Sequence, residues 1–228
     1  MLASAELNLS EPLTRTKVRM QSLAAMRRAI AILTAAGVAA VAGCGGSGSG
    51  SSTGTSTAVS YAGATANPPK AAPPLELTDS RGKAVNIDDY RGKAVLVTFI
   101  YDHCPDTCPL IVSNLRAAQN ELGSKAKEMQ IIAVSVDPEG DTPTTVKKFL
   151  AERRMTGRME YLIGSQHELA PVWRDWNVSS QRTGKKPTAL EHSALIYGIS
   201  GSGRITTLYP SNFKPQQVAH DVPKLASS

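Results

Sequence analysis

The run Ala94-Val-Leu-Val-Thr-Phe-Ile100 leads without a break into Tyr101-Asp-His-Cys-Pro-Asp-Thr-Cys-Pro109, and a segment with helical spacing follows. Seven uncharged, largely β-branched and apolar residues in a row read as a strand buried on both faces. Two thiols placed where such a strand hands over to a helix lie beside the helix's unpaired N–H groups and positive dipole end, which favour a thiolate. Four-residue spacing on a helix would let both sulfurs point one way, closing either on each other as a disulfide or on a soft metal ion. A disulfide across so short a loop removes little entropy from the unfolded chain and is a poor staple, so the pair reads as a functional dithiol. Pro105 stiffens the loop, and Pro109 suits the first turn of a helix, where its missing N–H costs nothing.

Working outward, the pattern alternates between strands and helices. Leu75-Glu-Leu77 and Ala84-Val-Asn-Ile87 flank Asp-Ser-Arg-Gly and predict an N-terminal hairpin. Ser113–Lys127 carries Leu115, Ala118 and Leu122 at helical spacing, Ile131-Ile-Ala-Val-Ser-Val136 is a second buried strand, and Thr142–Arg153, opened by Pro143, is a second helix. Tyr161-Leu-Ile163 predicts a short strand with a helix over His167–Trp176 behind it. Ser193–Ile199 and Arg204–Tyr209 flank Ser-Gly-Ser-Gly as a C-terminal hairpin, and Pro215–Leu225 closes as a helix. This is an α/β domain, a central mixed sheet flanked by helices with a hairpin near each end, in the order of elements of a thioredoxin-like fold.

Upstream, Arg27-Arg28 precede the apolar run Ala29–Val41, the charged-then-apolar layout of a secretory signal, too short to span a bilayer stably. Val41-Ala-Gly-Cys44 ends it in the manner of a bacterial lipobox, so Cys44 is expected to carry lipid, against the alternative of an ordinary signal peptide with Cys44 left as a thiol. Residues 1–43 are read as the leader, with Met20 or Met26 as alternative starts. From residue 44 to 73 the chain is Gly/Ser-rich and then Pro-rich, a composition that reads as a flexible linker of about 30 Å reach. The structured domain is expected over residues 74–228, long enough for one proper core.

The whole-chain charge of +6 overstates the domain's basicity, because residues 1–43 hold five Lys/Arg against two Asp/Glu and leave +3 for the rest. No basic run interleaved with aromatics suggests nucleic acid. Arg153-Arg154 and Lys185-Lys186 read as solvated surface.

Three stretches together, Phe99–Pro109, Val134-Ser-Val-Asp-Pro-Glu-Gly-Asp-Thr-Pro143 and Glu191-His-Ser-Ala-Leu-Ile-Tyr197, resemble in order and spacing the signature blocks of the SCO/SenC family. The resemblance covers about Pro74 to Leu225. It implies a thioredoxin-like fold, copper held by two cysteines and one histidine, and a part in assembling the binuclear copper centre of cytochrome c oxidase. By position the ligands would be Cys104, Cys108 and His192, with Cys104 and Cys108 also a redox-active disulfide. The implied partner is the copper-bearing oxidase subunit or another copper protein. The lipobox-like ending at Cys44 sets the expected location, the outer face of the bacterial cytoplasmic membrane, through lipid on that residue. Two positions depart from the family pattern: Glu191 where an Asp often precedes the histidine, and Gly140 where a larger residue is common.

Two thiolates and an imidazole make a soft, low-coordinate site that fits Cu(I) and accepts Cu(II). His192, opening the strand after the helical layer, is expected to lie against the dithiol. His103 is read as supporting or surface, and His167 and His220 as surface. Asp141 is expected to cap a helix, and Asp137 to stand at the thiol end of the sheet. The rival reading is a thiol–disulfide oxidoreductase keeping partner cysteines reduced, for which a dithiol at a helix start is equally fit. A peroxiredoxin-like peroxidase is disfavoured, since Asp106-Thr107 does not supply the Pro/Thr/Arg setting of a lone activated cysteine.

Overall fold

All seven residues of β4 (Ala94–Ile100) are buried, and the strand sits in the middle of a mixed sheet. The computed structural model describes residues 59–182, 190–192 and 194–228, with side chains for 59–180 and 194–228. These residues belong to one unit, Thr55–Ser228. The expected leader, Cys44 and the first part of the linker lie outside them. Among the described residues no helix is long and apolar enough to cross a membrane.

On one side β4 pairs in parallel with β5 (Met129–Ser135), and β5 in parallel with β6 (Glu160–Ile163). Helix α1 (Thr107–Leu122) makes the first crossover and α2 (Pro143–Glu152) the second. The hairpin of β2 (Glu76–Asp79) and β3 (Ala84–Asn86) adds antiparallel to β6 and ends that side of the sheet. On its other side β4 pairs antiparallel with β9 (Leu195–Ile199), which turns into β10 (Arg204–Pro210). Helix α3 (Gln166–Asp175) follows β6, and α4 (Pro215–Ala226) closes the chain.

Residues 61–73, which composition assigns to the linker, are part of the fold instead. Ala64–Ala71 form β1, antiparallel to β10 at the edge of the sheet. A segment holding Pro68 and Pro69 cannot donate to a ladder on both sides, so only an edge position admits it. The register slips between Thr65 and Lys70, where the prolines sit. A buried carboxylate on α4 holds the entry to this strand. Asp221 accepts from the N–H groups of Ala62 (2.8 Å) and Gly63 (2.9 Å) and from the Tyr209 hydroxyl (2.8 Å). Gln217 and Lys224 of the same helix donate to the carbonyls of Ala62 and Ser60.

Helix α1 explains where the second thiol goes. Its buried positions are Cys108, Ile111, Val112, Leu115, Ala118 and Gln119, one stripe at helical spacing with Cys108 as its first member. The helix starts six residues earlier than the apolar spacing alone marks, and ends at Gly123, whose φ of 55° lies in the left-handed region a glycine enters cheaply. Within β4, Phe99 packs its ring against Trp176 and Tyr197 at centroid distances of 5.9 and 6.1 Å. Burying an aromatic ring of this kind is worth about 2–3 kcal/mol.

Candidate functional site

Cys104 stands in the loop between β4 and α1, and Cys108 is the second residue of the helix. The chain folds this way because Pro109 and the apolar stripe start the helix just after Asp106, leaving residues 101–106 to arch over the carboxyl end of β4. Neither sulfur is in a disulfide. The two differ in access, Cys104 being 8% exposed and Cys108 0%. The backbone N–H of Cys108 donates to the Cys104 Sγ at 3.3 Å, so an amide of the helix's first turn is aimed at the more accessible sulfur. That arrangement favours negative charge on Cys104. The Cys108 thiol is pushed well above the ordinary cysteine range by its hydrogen bond to Cys104, and further by burial and the Cys104 charge. The two sulfurs therefore stand in unequal settings, Cys104 at the helix's first turn with some access to solvent and Cys108 enclosed behind it.

Tyr101, unremarked in the sequence, belongs to the same group. Its hydroxyl is pushed up to about 12 by burial first, then by the charges of both cysteines and a hydrogen bond with Cys104. Asp137 contributes to that shift as well, so its buried carboxylate is felt at the Tyr101 hydroxyl. A Cβ on Gly140 would stand 2.5 Å from Asp137 Oδ2, so the small residue leaves room for that carboxylate.

Asp141 is not the helix cap expected of it. Thr142 caps α2, its hydroxyl accepting from Thr145 N–H while the Thr145 hydroxyl takes the Thr142 N–H. Asp141 is buried instead, accepting from the Asp102 N–H (2.9 Å), the Ser135 hydroxyl (2.6 Å) and the Tyr161 hydroxyl (2.9 Å). No local pattern announces this, because its partners are six, twenty and thirty-nine residues away.

His192 does not open the strand that follows. It ends β8 (Leu190–His192), which pairs with β7 (Ser180–Arg182) in a separate two-stranded sheet, and β9 begins only at Leu195. The backbone of His192 is in register with Ser180, whose hydroxyl donates to the Val136 carbonyl at 3.3 Å, just past the end of β5. Its backbone thereby reaches the carboxyl end of the sheet, while its side chain lies outside the described residues. Among the described residues no group of three or more His, Cys, Asp or Glu side chains is gathered to hold a metal ion. His103 is exposed, with Nδ1 against the Asp102 carboxylate. His167 is exposed on α3, and His220 lies between Asp221 and Lys224 on α4.

A family model described as SCO1/SenC matches residues 63–227. The SCO1 protein homolog of Bacillus subtilis is 32% identical over 141 residues, 60% of this chain and 72% of that protein. The mitochondrial SCO2 homolog of Bos taurus is 28% identical over 153 residues, 65% and 57% respectively. The chain spans about half to two thirds of the length of most curated relatives it matches. Among solved structures, Bradyrhizobium japonicum ScoI with copper bound superposes with a TM-score of 0.61 at 32% identity, over 68% of this chain and 99% of that one. The mixed sheet with its flanking helices is the thioredoxin-like α/β fold of those structures. From the reach of the family model and the shared fold, the chain belongs to the SCO1/SenC family.

Proposed function

We propose that this protein is a copper chaperone that takes copper on Cys104, Cys108 and His192 and serves the assembly of the copper centre of cytochrome c oxidase. The observation that carries the reading is the dithiol itself, two adjacent sulfurs of unequal access at the carboxyl end of a buried central strand. A soft monovalent copper ion is the cargo such a pair suits, and an imidazole extends the donor set toward Cu(II). The related B. japonicum ScoI holds copper, and BsSco, of 25% identity, is described as a member of the Sco family of cytochrome c oxidase assembly proteins. Lipid on Cys44 would hold the domain at the outer face of the cytoplasmic membrane, and a SCO1/SenC relative from Bacillus anthracis is described as a lipoprotein.

Anaerobic Cu(I) titration of the full chain tests the ligand set. Cys104→Ala or Cys108→Ala removes a thiolate and should abolish chelation. His192→Ala leaves two thiolates, which can hold Cu(I) in near-linear geometry, and should lose Cu(II) far more than Cu(I). A His192→Ala protein that binds both oxidation states like the wild type would remove the histidine from the site.

The asymmetry of the two thiols supports a second role, reduction of partner disulfides, in which Cys104 attacks and Cys108 resolves. The two roles are linked, because only the dithiol should bind copper. Equal copper uptake by oxidised and reduced protein would break that link.

A further inference from the structure

Asp141 ties three other segments of chain to its own. Its Oδ1 accepts the backbone N–H of Asp102, in the loop that carries Cys104 two residues on. Its Oδ2 accepts the hydroxyls of Ser135, the last residue of β5, and of Tyr161 in β6. The Ser135 oxygen also accepts the Asp137 N–H at 3.1 Å. Asp141 is 4% exposed, and both hydroxyl partners are fully enclosed. One oxygen of the carboxyl group therefore grips the loop while the other is fixed to the sheet.

Neither the start of α2 nor the central ladder depends on this residue. Helix α2 has its own reciprocal cap in Thr142 and Thr145, so Asp141 is spare for starting the helix. The sheet beneath is already pinned by the β4–β5 ladder and by the Val136 N–H bond to the Ile100 carbonyl. The contact to Asp102 is the one that ties the sheet to the loop carrying Cys104. We propose that Asp141 is a positioning residue, a buried carboxyl clamp that fixes the loop between β4 and α1 and thereby sets where Cys104 stands relative to Cys108. The consequence for copper rests on the reading of the dithiol as a copper site; the consequence for the loop does not.

Substitutions separate a clamp from a merely stabilising group. Asp141→Asn is nearly isosteric: its Oδ1 still accepts from Asp102, and its amide can donate to the Ser135 and Tyr161 hydroxyls, which accept as well as donate. Asp141→Ala removes every arm. Val218→Ala, a fully buried cut in α4, lowers stability without touching the loop. The measurements on the full chain are the alkylation rate of the reduced Cys104 thiol, followed by mass spectrometry, and the thiolate-to-copper absorption band after Cu(II) is added. With Asp141→Ala, alkylation of Cys104 should rise by about tenfold or more as the loop opens, and the band should shift or fade. Asp141→Asn should restore both toward the wild type, and Val218→Ala should leave both in place.

An Asp141→Ala protein that is folded yet keeps wild-type alkylation and absorption overturns the proposal, as does a Val218→Ala protein that reproduces its changes. Should the alanine variant fail to fold, exchange of the Asp102 amide in the wild type decides. Strong protection supports the clamp, and exchange as fast as an open loop refutes it. Were the wild type to take up no copper at all, the copper reading would fall alone, and alkylation with amide exchange would still judge Asp141.

Discussion

At Asp141 burial and hydrogen bonding pull the carboxyl in opposite directions, and burial prevails, pushing it up to about 7 from an ordinary value of 3.8. A group that holds its proton more tightly when folded contributes stability that is complete below its unfolded value and lost as pH climbs through its folded value. The copper-free protein should therefore lose stability between about pH 4 and pH 7, by up to about 4 kcal/mol in denaturant titrations at fixed salt. In the Asp141→Asn protein that part of the slope should vanish. Gly140 offers a second check at this scale. Gly140→Ala would drive a methyl to 2.5 Å from Asp137 Oδ2, so the carboxylate must swing away. We expect a loss of about 1–3 kcal/mol in thermal unfolding, together with weakened copper binding. Neither residue's part can be read locally. Asp141 precedes Thr-Pro, which supplies a sufficient helix start by itself, and the crowding at Gly140 exists only once the turn has formed.

Among the elements, those set by neighbouring residues were legible and those set by distant ones were not. The strands around Leu96 and Ile132, the helix bearing Leu115 and the two hairpins announce themselves by runs and spacing, because burial on one or both faces writes itself into composition. Strand β1 does not, since Pro68 and Pro69 look like linker and its place depends on Asp221, 158 and 159 residues away. The dithiol was legible for the same local reason as its helix, with Cys108 opening the apolar stripe. The β7–β8 pair was not, and with it the separate strand that ends at His192. Asp221→Ala should release the strap: the amides of Ala62 and Gly63 and the Tyr209 hydroxyl lose their acceptor inside the fold, at a cost of about 2–5 kcal/mol. Hydrogen exchange should then show β1 opening ahead of β4 and β5, and unchanged protection of β1 would show that its ladder with β10 suffices.

For the molecule as a whole, the tethering reading is tested at Cys44. Cys44→Ala should move the protein from the membrane fraction to a soluble or misprocessed form. A wild type found wholly soluble with a reactive Cys44 thiol would discard the lipid anchor. The dithiol loop, by contrast, should load copper equally in both forms, since the contacts that hold it come from Ile100, Asp141 and the first turn of α1, far along the chain from Cys44. The sheet's two outer margins carry a consequence for association. At one end β1 is broken by two residues without N–H groups, and at the other β3 is three residues long. Neither margin offers the long row of open donors and acceptors on which another chain could template itself. Edge-to-edge stacking of copies through this sheet is therefore opposed at both flanks, so a concentrated solution should stay free of amyloid-type aggregates built on those margins, and a rise in thioflavin fluorescence on standing would count against it.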